Sequence, residues 1–379
     1  MGARLDGVIA RSIAERRIVG TVVLVAHGND VIYRRAAGLA DREAGTPMRE
    51  DAIFRLASIT KSYVTAAAMR LVEVGCMALD DQVTRFLPEF RPRLADGRAP
   101  PITLAQLLTH TSGLSYRFLE QPGSAYHALD ISDGLDQPGL SFEDALRRIA
   151  AAPLVFVPGE RWNYSVGIDV IGAVVERVMQ RPLPEIVAKL VTTPLGMAET
   201  AFHVADPSRL VKPYADGTPT PQPITDGMEV PRLQGALRFA PSRILDASSY
   251  PSGGAGMAGT ADDTLRFLLA IHDGGTQILK ASTVVDMMSD HAGFPVNLRD
   301  PGWGFGYGWA VLTDARKSGS PQSNGTIGWG GAYGHNWFID PARKLTVVIL
   351  TNTTFEGVSG AFPAEIRNAI YGDGGTSRY

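Results

Sequence analysis

Apolar residues recur at helical spacing in several stretches of the chain. Val64, Ala68, Leu71 and Val72 follow the i, i+4, i+7, i+8 spacing that places them on one face of an amphipathic helix. Similar stripes and capping signals predict further helices over residues 4–18, 141–152, 166–180, 261–272 and 361–371, and a short helix opened by a Thr-x-x-Gln capping box at 103–106. Residues 58–244 therefore contain predicted helices and no predicted strand.

Strand patterns occur near both ends of the chain. Residues 22–26 and 31–33 are rich in β-branched side chains and are separated by a Gly/Asn/Asp turn, which predicts a β-hairpin. Further strand patterns lie at 308–312, 326–329, 335–339 and 345–350. Residues 205–250 have many Pro, Asp and Gly and no clear period, so we interpret them as a long excursion that forms part of a pocket wall. The pattern predicts an α+β fold in which one antiparallel sheet, built from both termini, carries an inserted, mainly helical domain.

Composition narrows the class of protein. A chain of 379 residues with 45% hydrophobic content can bury a substantial core. The net charge is −3 and both signs are mixed along the chain, so nothing indicates a nucleic-acid partner. Cys76 is the only cysteine, which excludes a disulfide framework, and we expect its thiol to be buried. The seven histidines include no pair at ligand spacing, so we expect no metal and no cofactor.

The first residues of the chain bear on location. They carry charges and lack the apolar segment of a secretory signal, and no apolar run approaches the roughly 18 residues that span a bilayer. We therefore expect a soluble, cytoplasmic protein with no membrane partner. Nothing in the sequence indicates an oligomeric state.

Ser58 and Lys61 are the first candidates for chemistry. They are three residues apart at the start of a predicted helix, so the Lys61 amine can reach the Ser58 hydroxyl. A neighbouring base makes a hydroxyl nucleophilic, and the N–H groups at a helix N-terminus favour developing negative charge. The Ser-x-x-Lys tetrapeptide alone also fits an ordinary N-cap serine followed by a solvated lysine.

Other candidate motifs do not indicate a site. We interpret His110 as a structural histidine in the turn that ends a short helix rather than as a catalytic base. Residues 254–259 match Gly-x-Gly-x-x-Gly, but no strand precedes them, so a dinucleotide site is not predicted. The chain has no Gly-x-Ser-x-Gly, which excludes the nucleophile elbow of α/β-hydrolases.

Five segments, in their order along the chain, resemble the serine β-lactamase/penicillin-binding-protein superfamily, and most closely the class C-like family VIII carboxylesterases and related acyltransferases. They are Ser58 to Lys61, Leu107 to Leu114, Pro158-Gly159 before Tyr164 to Val166, Gly253 to Gly259 and Trp329 to Gly334. The resemblance covers nearly the whole chain. It implies a β-lactamase-like fold with an α/β domain from residues 1–57 and 245–379, a mainly helical domain from 58–244, and an active site between them.

The resemblance also implies roles for individual residues. Ser58 would be the nucleophile and Lys61 its partner on the helix, while Tyr164 would reach in from a loop of the helical domain and exchange protons with Ser58. Which of Lys61 and Tyr164 is the general base stays open, because coupled groups share their titration. The backbone N–H groups of Ser58 and Ala332 would form the oxyanion hole.

The remaining implied positions concern the substrate pocket. Trp329-Gly330-Gly331 stands where β-lactamases have a Lys-Thr-Gly triplet, and we expect Trp329 to form part of the pocket wall. The other pocket candidates are Gly330, Gly331, Tyr116, Tyr333 and Asp169, with Trp337 a further candidate in or behind the pocket.

Two departures from the family pattern bear on the substrate. An indole replaces the cation that would bind a substrate carboxylate, and Tyr164-Ser165-Val166 lacks the amide of a Tyr-x-Asn element. Both changes argue against efficient β-lactam turnover and for a neutral, smaller acyl group. The prediction is a serine carboxylesterase that hydrolyses short-acyl esters of small molecules through an acyl-Ser58 intermediate. The alternatives are acyl transfer to an alcohol or amine, weak β-lactamase or amidase activity, and a non-catalytic binding domain of the same fold.

Overall fold

The computed structural model describes residues 1–372, and an eight-stranded antiparallel sheet forms its centre. The strand order is β10-β11-β12-β13-β14-β1-β2-β3, so strands from the two ends of the chain meet where β14 pairs with β1. The sheet strands are β1 (Gly20–His27), β2 (Asp30–Asp41), β3 (Thr46–Pro47), β10 (Trp303–Phe305), β11 (Ala310–Leu312), β12 (Ile327–Gly331), β13 (His335–Asp340) and β14 (Leu345–Thr351). Three two-stranded ribbons comprise β4 (Phe54–Arg55) with β9 (Ala258–Gly259), β5 (Tyr214–Ala215) with β6 (Gln222–Pro223), and β7 (Met228–Arg232) with β8 (Gly235–Phe239).

Helices cover the sheet and fill the middle of the chain. The α-helices are α1 (Gly2–Ala14), α2 (Thr60–Glu73), α3 (Leu104–Leu108), α4 (Ala125–Ala128), α5 (Phe142–Ala151), α6 (Gly167–Met179), α7 (Leu183–Val187), α8 (Ala261–His272), α9 (Ala281–Met287), α10 (Ala315–Ser318), α11 (Thr354–Ser359) and α12 (Ala361–Tyr371). The Thr103 capping box that opens α3 is present, with both of its reciprocal hydrogen bonds.

Alternation along β1 explains why helices pack on both faces of the sheet. Val23 and Val25 belong to the core under α1 and α12, whereas Val22 and Leu24 point to the larger core on the opposite face. All four side chains are fully buried, and burial of such a side chain contributes about 1.5–3 kcal/mol. A strand buried on both faces reads as a continuous apolar run, which is how residues 22–26 appear in the sequence.

Helix α2 is the central element of the larger core. Its residues from Thr60 to Met69 are all buried, and it contacts α6, α7 and the π-helical turn at Ala188–Thr192. A helix that is buried on all sides cannot shift its ends without breaking many contacts. The Ser58 turn at its N-terminus is therefore held rigidly.

The fold class predicted from the sequence is confirmed, and several details differ. The sheet does combine both ends of the chain around helices, with two additional edge strands, β10 and β3, that the sequence analysis missed. Residues 205–250 contain two short hairpins, β5–β6 and β7–β8, where no period was seen. Cys76 is exposed rather than buried, because it lies in the exposed turn that ends α2, where Gly75 has a φ of +74°. The division into domains at residues 58 and 244 stays a prediction.

Candidate active site

Ser58 lies in a single 3-10 turn, Ala57–Ile59, between strand β4 and helix α2. The Leu56 N–H donates to the Met257 carbonyl at 2.8 Å, which ties the turn to the segment before β9. Ala57 has a φ of +47°, a left-handed conformation that costs energy for a residue with a Cβ and is common next to functional groups. The turn thus presents Ser58 at the N-terminus of α2 in a strained, well-anchored backbone.

Lys61 is completely buried beside Ser58. Its Nζ lies 3.3 Å from Ser58 Oγ and donates a shorter hydrogen bond, 2.7 Å, to the carbonyl oxygen of Gly254. The ammonium also lies 4.7 Å from the ring centroid of Tyr164 and 5.2 Å from that of Tyr116. The Gly254 carbonyl and the two aromatic rings therefore hold the amine next to the Ser58 hydroxyl.

Tyr164 approaches from the loop that precedes α6. Its hydroxyl oxygen accepts a hydrogen bond from Trp329 Nε1 at 3.2 Å, and the two rings are in contact with centroids 5.2 Å apart. Trp329 is on β12 of the sheet, so this bond joins the helical part of the chain to the sheet. Ser58, Lys61 and Tyr164, which the sequence predicted as the catalytic group, thus lie together.

A buried carboxylate fixes the segment that holds Lys61. Asp169 Oδ1 accepts from Ser252 Oγ at 2.6 Å and from the Gly254 N–H at 3.3 Å, while Oδ2 has no hydrogen-bond partner within residues 1–372. Burial raises the pKa of Asp169, and the Ser252 hydrogen bond and the Lys61 charge act in the opposite direction. Asp169 therefore acts on Lys61 through the backbone of Gly254.

His110 is buried and serves the packing around Tyr164. Its Nδ1 accepts from the Ser165 N–H at 3.3 Å and lies 3.1 Å from Ser165 Oγ, and its ring packs 4.8 Å from the Tyr164 ring. Burial, with Lys61 nearby, holds the pKa of His110 well below its usual range, so the imidazole is neutral. These contacts fit the structural histidine predicted from the sequence.

A cavity of about 460 Å³ opens over Ser58. The part around Ser58 is lined by Tyr116, Tyr164, Trp329, Gly330 and Ala332. Residues of β7 and β8, including Leu237, form another part of the wall, as predicted for the aperiodic segment 205–250. Asp133 also lines the cavity, and its burial, together with repulsion from Asp136, raises its pKa to about 8.

The two N–H groups predicted for an oxyanion hole face this region from different elements. Ser58 lies on the turn before α2 and Ala332 directly after β12, and no hydrogen bond to a residue in 1–372 occupies either N–H. At Gly331 a Cβ would lie 2.3 Å from the Leu56 carbonyl oxygen. Only glycine therefore lets this end of β12 approach the Ser58 turn.

Four of the predicted pocket positions lie away from the cavity. Asp169 is behind Lys61, because its carboxylate turns toward the Ser252 segment. Gly331 packs on the Leu56 backbone, and Tyr333 lines a second, small cavity of about 30 Å³ near Arg243. Trp337 is fully buried edge-on against Trp309 in the core.

Several features of the site had no clear sequence signal. The Gly254 carbonyl that binds Lys61 is a backbone group, and the only related feature of the sequence is the glycine-rich run at 253–259, since glycines allow a close backbone approach. Arg299, Trp303 and Arg367 also line the cavity, and they come from a loop, an edge strand and the last helix. Within residues 1–372 no group of three or more His, Cys, Asp or Glu is placed to hold a metal ion. Over the same residues, no helix has the length and apolar character needed to cross a bilayer.

Comparison with known proteins places this geometry in a family. The family model described as Beta-lactamase matches residues 5–370. Esterase EstB of Burkholderia gladioli is 52% identical to this chain, and the match covers 98% of this chain and 95% of EstB. The lovastatin esterase of Penicillium rubens is 28% identical, and the match covers 90% of each chain. The solved structure of EstCE1, described as a hydrolase with promiscuous acyltransferase activity, superposes with a TM-score of 0.93 at 46% identity and covers 98% of both chains. The resemblance predicted from the sequence motifs is confirmed: the chain belongs to the beta-lactamase family.

Proposed function

We propose that this protein is a serine carboxylesterase that hydrolyses short-acyl esters of small molecules through an acyl-Ser58 intermediate. The observation that carries the proposal is the contact of Lys61 Nζ with Ser58 Oγ at 3.3 Å, with the Tyr164 ring 4.7 Å from the same amine, on the wall of a 460 Å³ cavity. The names of the two close relatives, Esterase EstB and the hydrolase EstCE1, support hydrolysis of an ester.

Acylation begins when Ser58 Oγ attacks the acyl carbon of the ester. The Ser58 proton passes to the Lys61–Tyr164 pair, and the negative charge that develops on the carbonyl oxygen is held by the N–H groups of Ser58 and Ala332. When the tetrahedral intermediate collapses, the bond to the alcohol oxygen breaks and the pair returns the proton to that oxygen. The alcohol leaves and the acyl group stays on Ser58.

Deacylation repeats these steps with water. Water attacks the acyl carbon and gives one proton to the Lys61–Tyr164 pair, and collapse releases the carboxylic acid while Ser58 Oγ recovers a proton. The same two N–H groups hold the oxyanion in both halves of the reaction. One set of residues therefore serves both directions of proton transfer, as microscopic reversibility requires.

The test combines labelling with kinetics. We expect a fluorophosphonate to label the wild-type protein on Ser58 and to leave Ser58→Ala unlabelled, and we expect Ser58→Ala to lose at least about 10³-fold in kcat on p-nitrophenyl butyrate. Ser62→Ala is the matched control, since Ser62 lies one residue beyond Lys61, is buried, and has an Oγ with no hydrogen-bond partner within residues 1–372. Labelling of Ser58→Ala, or hydrolysis by it at the wild-type rate, would remove Ser58 from the reaction.

Acyl transfer to an alcohol is the second candidate. It is supported by the description of EstCE1, which matches nearly the whole chain and carries acyltransferase activity beside hydrolysis. Either water or an alcohol can attack the same acyl-Ser58 group, so the two reactions share every residue named above. Product analysis with p-nitrophenyl butyrate and added 1-butanol separates them: butyl butyrate indicates transfer, and butyrate alone indicates hydrolysis.

A further inference from the structure

The active-site cavity contains guanidinium groups that have no carboxylate partner within residues 1–372. Arg299 and Arg367 both line it, and neither forms an ion pair within residues 1–372. The Arg299 side chain makes no hydrogen bond to these residues, and Arg367 Nε is buried without a hydrogen-bond partner. Both side chains are only partly exposed, and two guanidinium groups with restricted access to water and no carboxylate partner in residues 1–372 are an uncommon arrangement in one cavity.

Aromatic rings fix the position of Arg299. Its guanidinium carbon lies 4.7 Å from the ring centroid of Trp303 and 5.4 Å from that of Trp329. Stacking on the indole faces leaves the edge of the guanidinium, with its N–H donors, free to point into the cavity. Arg299 is therefore oriented without using its hydrogen-bonding capacity.

The two arginines also repel each other. Burial and the charge of Arg367 lower the pKa of Arg299 to about 10, while Asp300 acts in the opposite direction. Arg367 is likewise half-buried, and its pKa is lowered mainly by burial. An anion bound between the two guanidinium groups would offset both the repulsion and the loss of hydration.

Within residues 1–372, no ion pair joins these two arginines to the acidic residues that line the cavity. Asp133 has a pKa raised to about 8 by burial, so it is largely protonated at neutral pH. Asp300 lines the cavity and is exposed, and its charge attracts both guanidinium groups without forming an ion pair with either. A third guanidinium, that of Arg232, also lines the cavity and donates to the Ser359 hydroxyl at 2.6 Å rather than to a carboxylate.

From these observations we propose that Arg299 and Arg367 form a carboxylate-binding site for the substrate, so that the preferred esters carry a carboxylate in their alcohol part. The proposal rests on the esterase function proposed above and adds the substrate class. It assigns the carboxylate to the alcohol because Arg299 stacks on Trp329, and the Trp329 N–H bonds to the hydroxyl of Tyr164, a member of the pair that returns a proton to the leaving alcohol. The site differs from the triplet position of the β-lactamases, which is occupied here by Trp329 itself.

The first test compares a charged ester with its neutral counterpart. We expect kcat/KM for 3-acetoxybenzoate to exceed that for 3-acetoxybenzamide by about tenfold or more, after each is divided by its rate of alkaline hydrolysis. This ratio should fall to about one in Arg299→Gln and in Arg367→Gln and should be partly kept in Arg299→Lys. Because the ratio compares two substrates of the same variant, a general loss of activity does not affect it. Equal normalised rates in the wild type, or a ratio that survives both substitutions, would overturn the proposal.

Arg85→Gln is the matched control. Arg85 also stacks on an aromatic ring, that of Phe86 at 5.3 Å, but it lies outside the cavity and pairs with Asp81. The ratio of kcat/KM between 3-acetoxybenzoate and 3-acetoxybenzamide should be the same in Arg85→Gln as in the wild type. Mono-4-nitrophenyl adipate and 4-nitrophenyl hexanoate, which differ by a carboxylate in the acyl part, should differ less than the first pair, and a larger preference there would contradict the assignment to the alcohol.

A binding measurement separates this proposal from the proposed reaction. This binding measurement uses the Ser58→Ala variant and does not depend on turnover. We expect 3-hydroxybenzoate to bind to it at least about tenfold more tightly than 3-hydroxybenzamide, as measured by tryptophan fluorescence. The difference should shrink as salt is raised, because ion pairing at a partly open site is screened. Failure of this binding test contradicts the carboxylate site, whereas full hydrolysis by Ser58→Ala contradicts the esterase mechanism.

Discussion

Lys61 Nζ donates to the carbonyl oxygen of Gly254 at 2.7 Å, a shorter bond than its 3.3 Å contact with Ser58 Oγ. A backbone carbonyl is a fixed acceptor, so it orients the amine without neutralising its charge as a carboxylate would. The Gly254 N–H in turn donates to Asp169. The position of Lys61 therefore depends on a turn almost 200 residues away in sequence.

Replacing Gly254 tests that dependence. In Gly254→Ala the new Cβ would lie 2.5 Å from Asp169 Oδ2 and 3.0 Å from the Tyr116 hydroxyl, so the turn must move and carry its carbonyl away from Lys61. We expect kcat on p-nitrophenyl butyrate to fall by about 10–100-fold, since small displacements of a catalytic group have effects of this size. Gly7→Ala is the control, because a Cβ on Gly7 in α1 meets nothing within 4 Å. An unchanged kcat in Gly254→Ala would show that the carbonyl does not position the amine.

Tyr164→Phe tests the third member of the proposed catalytic group. The substitution keeps the ring against Lys61 and removes the hydroxyl that would exchange the proton, so we expect kcat to fall by about 10²–10⁴-fold with little change in KM. Tyr33→Phe is the control, because Tyr33 lies on β2 and donates to Asp6 at 2.8 Å. Wild-type turnover by Tyr164→Phe would exclude the phenol from the mechanism.

The sequence predicted those parts of the site that local spacing or a family motif encodes. Ser58 and Lys61 are neighbours because three residues make one turn at a helix start, and that is visible in any window of the sequence. Tyr164 was identified through the family resemblance, since nothing in its own surroundings distinguishes it from the other tyrosines. The sheet was predictable because β1 and β14 have long β-branched runs, whereas β10 has three residues, one of them Gly304.

Other features depend on tertiary contacts that no local pattern encodes. The bond from Lys61 to the Gly254 carbonyl involves a backbone atom, which has no residue identity to detect. Arg299 lies in an aperiodic loop, and its significance comes from having no ion-pair partner among residues 1–372, which can only be seen in three dimensions. The expectation of a neutral, smaller acyl group rested on the missing cation at Trp329 and the missing amide after Tyr164, and no sequence pattern indicated that arginines line the same cavity.

The raised pKa of Asp133 leads us to expect that the stability of the folded protein depends on pH. Its pKa is raised from 3.8 to about 8 in the folded protein, so between these values the unfolded chain releases a proton that the folded chain retains. The retained proton of Asp133 stabilises the folded protein. Its contribution to the free energy of unfolding is complete below about pH 4 and is lost as the pH rises toward 8, at up to about 1.4 kcal/mol per pH unit. Asp133→Asn removes this titration and keeps an oxygen for the Arg117 N–H, which donates to Asp133 Oδ1 at 2.9 Å.

The free energy of unfolding, measured in urea at pH 5 and pH 8, tests this expectation. Asp133→Asn should become more stable relative to the wild type as the pH is raised. Asp96→Asn is the control, because hydrogen bonds from Arg98 lower the pKa of this exposed carboxyl and it does not titrate in that range. A constant difference between Asp133→Asn and the wild type would mean that Asp133 is ionised throughout.

Trp329 and Trp162 offer a matched pair for testing the hydrogen bond to Tyr164. Both indoles contact the Tyr164 ring, with centroids 5.2 Å and 6.3 Å away, but only Trp329 donates its N–H to the phenol, and the Trp162 N–H is buried without a partner within residues 1–372. Trp329→Phe keeps an aromatic ring and removes the donor, so we expect kcat on p-nitrophenyl butyrate to fall by about 3–10-fold, the value of one neutral hydrogen bond. Trp162→Phe should leave kcat within about twofold of the wild type. Trp329→Ala, which also opens the cavity wall, should in addition change the preference among p-nitrophenyl esters of graded acyl length. If Trp329→Phe and Trp162→Phe have the same kcat, the bond does not orient Tyr164, and Trp329 then acts only by shaping the cavity.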